Sequence, residues 1–176
     1  MNKIPATVRV FTFNSAKTLR RCLESLKDFE EILVLDGNSI DNTLEIAKVF
    51  GARIEKQFLE RNKPTIIEDW PELVNRAVKM AKFDWILYID SDESASADLV
   101  EEVRQIVGQP TVEHYMYQTP NRIIYKEREI LHSVPYPGYQ YRFFNRKSGG
   151  QYKGNPHYFL KFDKQKYVPG ILKNPW

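Results

Sequence analysis

Three carboxylates, Asp90, Asp92 and Glu93, crowd the end of the apolar run Trp85-Ile86-Leu87-Tyr88-Ile89. Carboxylates at i and i+2 are hard oxygen ligands of the kind Mg²⁺ or Mn²⁺ prefers, and such ions complete their shells with substrate phosphates. The chemistry on offer is therefore that of a cation carrying a diphosphate. The competing reading is a solvated acidic turn that caps the next helix, and an Asp-x-Asp pair alone does not separate the two. Two more polar clusters follow apolar runs: Thr12-Phe13-Asn14, and the stretch Asp36-Gly37-Asn38-Ser39-Ile40-Asp41. If all three end parallel strands, they meet on one sheet edge, where α/β folds bind ligands. An acid such as Asp36 can then accept from a ribose or base while Asp92 anchors a metal on the phosphates, so a nucleotide diphosphate fits both.

The flanking pattern supplies the elements this requires. Residues 6–13 alternate β-branched and aromatic side chains as a strand, and Asn14-Ser15 are good caps for a helix carrying Leu19, Cys22, Leu23 and Leu26. Residues 31–35 are apolar throughout, as a strand covered on both faces should be. A helix through Leu44, Ile46 and Ala47 is stopped by Gly51, and 52–56 reads as a third strand. After an aperiodic loop, Asp69-Trp70-Pro71-Glu72 forms a capping box for a helix through Leu73, Ala77 and Val78. Past the acids, Ser94 or Ser96 caps a helix closed by Gly108. Four strand-then-helix units with short connections predict a mainly parallel α/β sheet sandwiched by helices. From Pro110 the period changes to short strands around 114–119, 122–125, 139–144 and 158–162, between Pro, Gly and Asn turns. The expectation is one domain, with a ligand-binding half over 1–108 and a mixed or antiparallel β-rich extension over 109–176.

Composition bounds the function class. A chain of 176 residues can bury a core without staples, and a single Cys22 excludes an internal disulfide framework. With that one cysteine and three scattered histidines, a zinc site is not expected. No apolar stretch is long enough to span a membrane, and Met1-Asn2-Lys3-Ile4-Pro5 carries no signal peptide, which predicts a cytoplasmic protein. Charge is lopsided: residues 1–120 carry 15 Lys+Arg against 20 Asp+Glu, whereas 121–176 carry 11 against 3. Basic residues interleaved with aromatics suit nucleic acid, an anionic membrane face or a phosphorylated acceptor. The plain alternative is a solvated basic face.

Taken together, these residues resemble family 2 glycosyltransferases of the A-type, nucleotide-diphospho-sugar-binding fold. The likeness rests on Thr12-Phe13-Asn14, on residues 35–43, on Asn75-Arg76-Ala77 and on Asp90-Ser91-Asp92-Glu93. Ile130-Leu131-His132, the stretch 136–144 and Asn155-Pro156-His157 are similar to a subgroup that includes lipopolysaccharide-core glucosyltransferases, enzymes of cell-envelope polysaccharide synthesis. The resemblance implies a Rossmann-like sheet and transfer of a sugar, with inversion, from a UDP-linked donor to a glycan or lipid-linked acceptor. Asp36 would read the nucleobase, Asp90 would contact ribose or sugar, and Asp92 with Asp90 would hold Mn²⁺ or Mg²⁺. Thr12, Asn14 and Asn75 would complete the donor site, together with Arg142, which could fix a phosphate or pair with an acid. The basic aromatic third would face the acceptor on the inner side of a membrane, and nucleic acid is not an expected partner.

The departures bear on catalysis. Ile40 stands where Thr is usual, Val74 where a basic residue is common, and Tyr158 where Glu would follow His157; the Glu-Asp base motif of other members is absent. Arg61, Lys63 or Arg76 would have to replace the missing phosphate contact. An acceptor hydroxyl needs a proton acceptor, and the candidates in falling order are His157, Glu93, Asp163, His132 and Glu129. Asp41 reads as a structural cap. The chain is short for this family, so a C-terminal helix or added domain is expected beyond Trp176. Two other classes compete. A nucleotidyltransferase would need a Gly-rich basic loop after the first strand, which Thr12-Phe13-Asn14-Ser15 does not offer; a non-catalytic nucleotide-sugar or partner-binding domain would need only a degenerate site.

Overall fold

The computed structural model describes residues 2–58, 69–125, 128–130, 138–154 and 159–176. Its centre is a seven-stranded sheet. The first four strands are β1 (Ile4–Thr12), β2 (Phe29–Asp36), β3 (Arg53–Lys56) and β4 (Trp85–Tyr88). They pair in parallel in the order β4-β1-β2-β3. Between them run α1 (Leu19–Ser25), α2 (Thr43–Val49) and α3 (Trp70–Met80), and α4 (Ala97–Val107) follows β4. The sheet then continues past β4 through β8 (Tyr139–Asn145), β5 (Met116–Pro120) and β11 (Gly170–Ile171). β8 runs antiparallel to both of its neighbours, so the mixed C-terminal part is an extension of the same sheet.

Burial on both faces explains the near-continuous apolar runs. One face packs on α1, α2 and α4 through Leu19, Cys22, Leu23, Ala47, Leu99, Val100 and Val103. The other packs on α3 through Leu73, Val74 and Ala77, and on the hairpin of β9 (Gln151–Lys153) with β10 (Phe159–Lys161) through Tyr152 and Leu160. Each buried Leu-sized side chain stabilises the fold by roughly 1.5–3 kcal/mol relative to exposure. A second small hairpin joins β6 (Ile124–Tyr125) to β7 (Arg128–Glu129).

The capping chemistry follows the sequence in three of four helices. Asp69 accepts from the Glu72 amide at 2.9 Å, and Ser96 accepts from the Leu99 amide at 3.1 Å. Gly51 ends α2 with φ +68°, a conformation that disfavours side chains. The exception is α1. Asn14 and Ser15 side chains do not cap it; one turn intervenes, the helix starts at Leu19, and the Thr18 hydroxyl at its N-cap bonds back to Ser15 O instead of capping a helix amide. The side chains of both residues are engaged elsewhere, as described below.

Sequence periodicity misses the last segment, which is stitched across the fold. Leu172 donates its amide to Gln118 O at 2.8 Å, and the Glu102 carboxylate accepts from the amides of Lys173 and Asn174. Ser96 bonds Pro175 O through both its amide and its hydroxyl. Gly170 is required for this approach, since a Cβ there would lie 2.6 Å from the Tyr117 ring and 2.7 Å from His114. No helix among the described residues is long and apolar enough to cross a membrane.

Candidate functional site

The carboxyl ends of β1, β2 and β4 open onto a cleft of about 670 Å³, within the size range of small-ligand sites. Its floor and walls include Thr12, Asn14, Gly37, Trp70 and the turn Asp90-Ser91-Asp92. The three polar clusters picked out in the sequence therefore meet.

Two of the strand-end loops are interlocked. Asn14, at φ +49°, donates its amide to the Ser39 hydroxyl at 2.8 Å, and its own Oδ1 accepts from the Ile40 amide at 2.9 Å. The Ser15 amide donates to Thr43 Oγ1 at 2.7 Å, and the Ala16 amide donates to Asp41 Oδ2 at 3.1 Å. Asp41 also accepts from the Thr43 amide, so it is the turn-holding residue expected. These bonds hold its carboxyl below the ordinary value, with the Thr43 hydroxyl as the first cause. Ser15 and Ser91 hydroxyls lie 2.9 Å apart, joining this pair of loops to the acidic turn.

Asp36 sits under the β2 turn. It is 4% exposed and accepts from Thr12 Oγ1 at 2.8 Å, the Ser39 amide at 2.8 Å and the Ser39 hydroxyl at 2.6 Å. It thus shapes the turn whose Gly37 lines the cleft, and does not itself line it. Asn75 lies elsewhere: its amide group donates to Tyr152 O at 2.9 Å and accepts from Tyr152 N at 2.8 Å. This side chain fastens α3 to β9, because a buried strand edge needs its main-chain groups satisfied. The donor contact expected of Asn75 is therefore replaced by a structural one.

Arg142 takes the second of its two expected roles and pairs with an acid. It is 4% exposed, and its guanidinium donates to Gln140 Oε1 at 3.0 Å and to both oxygens of Glu93 at 2.9 and 3.0 Å. Its faces stack on Tyr88 and Trp176, 4.2 and 4.3 Å from the ring centroids. A guanidinium so engaged orients acids and is not open to a cleft phosphate. Glu93 in turn accepts from the Asp90 amide at 2.8 Å. Burial raises its carboxyl above the ordinary range, with the Arg142 charge pulling the other way. The same burial, with Glu93 and Asp90 adding to it, pushes the neighbouring Cys22 thiol up to about 12.

Of the acids at the strand end, Asp90 and Asp92 face differently. Tyr88 Oη donates to Asp90 Oδ2 at 3.0 Å and Arg142 Nη1 lies 3.5 Å from the same oxygen, whereas Oδ1 makes no hydrogen bond among the described residues. Asp92 is exposed, and its carboxylate makes no hydrogen bond among the described residues; only its main-chain oxygen is used, by Arg21. No cluster of three His, Cys, Asp or Glu occurs among the described residues. The protein thus offers hard oxygen donors from two residues, a set that suits Mg²⁺ or Mn²⁺ only when phosphates and water fill the remaining positions.

The remaining base candidates divide cleanly. His157 and His132 lie outside the described residues, as do Arg61 and Lys63. Asp163 accepts from the Gln165 and Lys166 amides in a turn, and Glu129 faces Arg122 at 3.4 Å. Arg76 is spent on the main-chain oxygens of Lys56 and Gln57. Sequence reasoning passed over Lys17, Gln57 and Trp70, which all line the cleft. Lys17 follows the Asn14-Ser15 turn directly, so its position after a strand end was the available signal. Gln57 Nε2 donates to Thr12 O at 3.0 Å and Leu35 O at 2.9 Å, a role that only the fold brings about.

The comparisons with known proteins agree with this geometry. The model of glycosyl transferase family 2 matches residues 7–163. An uncharacterized glycosyltransferase of Rickettsia felis is 30% identical over 131 residues, covering 72% of this chain and 42% of its own. A PGL/p-HBAD biosynthesis glycosyltransferase of Mycobacterium tuberculosis is 34% identical over 105 residues, covering 56% and 40%. The chain thus spans about two fifths of these curated relatives. Among solved structures, S. aureus TarS in complex with UDP-GlcNAc superposes with a TM-score of 0.53 at 24% identity, over 72% of this chain and 37% of TarS. Glucosyl-3-phosphoglycerate synthase of M. tuberculosis gives 0.51 at 22% identity, over 68% and 46%. These likenesses establish the A-type fold that the sequence implied. With the family model matched across nearly its whole length, the chain belongs to glycosyl transferase family 2.

Proposed function

We propose that this chain binds a nucleotide-diphospho-sugar, UDP-linked, in the cleft above β1 and β4, and transfers its sugar to a hydroxyl of a glycan or lipid-linked acceptor with inversion. One observation carries the reading: the uncommitted Asp92 carboxylate and the open Oδ1 of Asp90 lie on the same cleft wall as Thr12, Asn14 and Ser15. The presence of UDP-GlcNAc in TarS and of UDP in the mycobacterial synthase supports a uridine donor. A divalent cation held by Asp92 and Asp90 would neutralise charge on the leaving diphosphate. The chain's own groups do the rest: Lys17, exposed at the rim, adds a positive charge beside the phosphates, and Phe13 with Trp70 provides apolar walls. The acceptor is assigned to the basic half, 109–176, and the proton acceptor to His157. Glu93 is the weaker candidate because both of its oxygens are already engaged by Arg142.

The test is calorimetric titration of UDP with Mn²⁺ into the parent and Asp92→Ala. Asp92 is exposed and its carboxylate unbonded, so the variant should melt within about 1 °C of the parent while losing at least roughly tenfold in Mn²⁺-dependent UDP affinity. Unchanged affinity would remove the site assignment. A panel of UDP-sugars offered with and without acceptor then separates transfer from binding alone, which is what a degenerate site would give.

A further inference from the structure

Arg9 is the anomaly of the core. It is 2% exposed in the middle of β1, and its Nε, Nη1 and Nη2 are buried without a hydrogen-bond partner. No ion pair compensates it among the described residues. Its guanidinium instead lies against rings, 4.1 Å from the Tyr88 centroid and 4.6 Å from that of Phe11. Cation–π contacts offset only part of the cost of burying an unpaired charge. An apolar side chain would serve the packing better, and a buried group left unsatisfied in this way calls for a functional account.

The surroundings supply one. Arg9 is the register partner of Tyr88 on the neighbouring strand, and the Arg142 guanidinium lies 4.2 Å from the same Tyr88 ring. Tyr88 is therefore in contact with two buried cations on three adjacent strands. Its hydroxyl donates to Asp90 Oδ2 at 3.0 Å, two residues before the exposed Asp92. We propose that Tyr88, held by Arg9 and Arg142, fixes the Asp90 carboxylate so that Oδ1 faces the cleft for the cation and donor. Arg9 is a positioning residue that acts through the ring. This rests on the donor-binding role assigned above to Asp90 and Asp92. The phenol takes up one carboxylate oxygen, and the two guanidiniums fix the ring by electrostatic attraction to its π face, where apolar packing alone would leave it free to slide.

The test uses the full chain as parent, Tyr88→Phe, Arg9→Met, Arg9→Lys and Asp92→Ala. Free Mn²⁺ is followed by electron paramagnetic resonance during titration in the presence of UDP, and each variant is melted in parallel. Tyr88→Phe keeps the ring and loses one bond to a charged group, so Mn²⁺ affinity should fall by roughly tenfold. Arg9→Met should weaken it about threefold or more while its melting temperature stays level or rises, because an unpaired buried charge has been removed. Arg9→Lys should recover most of the affinity. If Tyr88→Phe and Arg9→Met bind Mn²⁺ with UDP as the parent does, while Asp92→Ala does not, the positioning role is overturned and the donor site stands. If Arg9→Met and Arg9→Lys both lose affinity only in proportion to a lowered melting temperature, Arg9 is structural and the inference is likewise overturned. A parent that binds no Mn²⁺ with UDP overturns both.

Discussion

Replacing Arg142 with Met should destabilise the protein by an amount that depends on pH. Arg142 has 5% of its side chain exposed and Glu93 23%, and they share two bonds of 2.9 and 3.0 Å. Removing one partner of a buried pair costs about 3–5 kcal/mol. Here the lower end applies, since Glu93 keeps some water and the Asp90 amide; roughly 2–3 kcal/mol is expected near pH 8. For a chain of this length that corresponds to a fall of about 4–12 °C in melting temperature. The sign with pH follows from linkage. Burial already raises the Glu93 carboxyl above its ordinary 4.5, so the folded state holds its proton more tightly than the unfolded chain, and stability falls as pH climbs through that window. Without Arg142 the opposing charge is gone, the folded value rises further, and the window extends upward. The penalty should therefore be largest at pH 8 and shrink as the pH is lowered and Glu93 takes up a proton. Thermal melts of parent, Arg142→Met and Arg142→Met/Glu93→Gln from pH 5 to 8 measure this, and the double variant should recover most of the loss. A penalty equal at both ends of the range, or a double variant no better than the single, would refute the reasoning.

Other expectations follow from the same geometry. Asp36→Asn places an amide donor where three donors now converge, so it should cost about 1–3 kcal/mol in urea denaturation and loosen the Asn14 and Ser39 amides in hydrogen exchange. Cys22, buried and pushed up to about 12, should resist thiol reagents at pH 8 until the protein unfolds; rapid labelling of the native state would contradict its placement. Gly170→Ala would press a methyl into Tyr117 and His114, costing about 1–3 kcal/mol and deprotecting the Leu172 amide.

Much of the donor side was legible because each strand carried its own punctuation. The apolar runs ended in polar residues at Thr12, Asp36 and Asp90, and the caps Asp69, Ser96 and Gly51 act as their residue types dictate. What failed were choices between local and distant partners. Asn14 and Ser15 have the chemistry of helix caps, yet the Asn14 side chain accepts from the Ile40 amide and the Ser15 hydroxyl bonds Ser91, both far away in the chain. Asn75 and Arg142 carry donors suited to phosphates, and only the packing of β9 and of Glu93 decides that those donors are taken. β11 is two residues long in a stretch without alternation, so its pairing depends on the β5 edge already being in place.

The run of the sheet bears on how such chains could be divided. β4 carries the acidic turn and lies between β1 and β8, so the boundary between the first 108 residues and the rest falls inside the hydrogen-bonded sheet. A fragment ending there would bare the β4 edge along Trp85, Ile86 and Leu87, the kind of apolar edge that recruits other chains. It would also lose Arg142 and Trp176, the groups that hold Glu93 beside the acidic turn. The two segments taken from different relatives would therefore recombine poorly at this point. A crossover that keeps β4 and β8 from one parent preserves both the edge and the acid cluster.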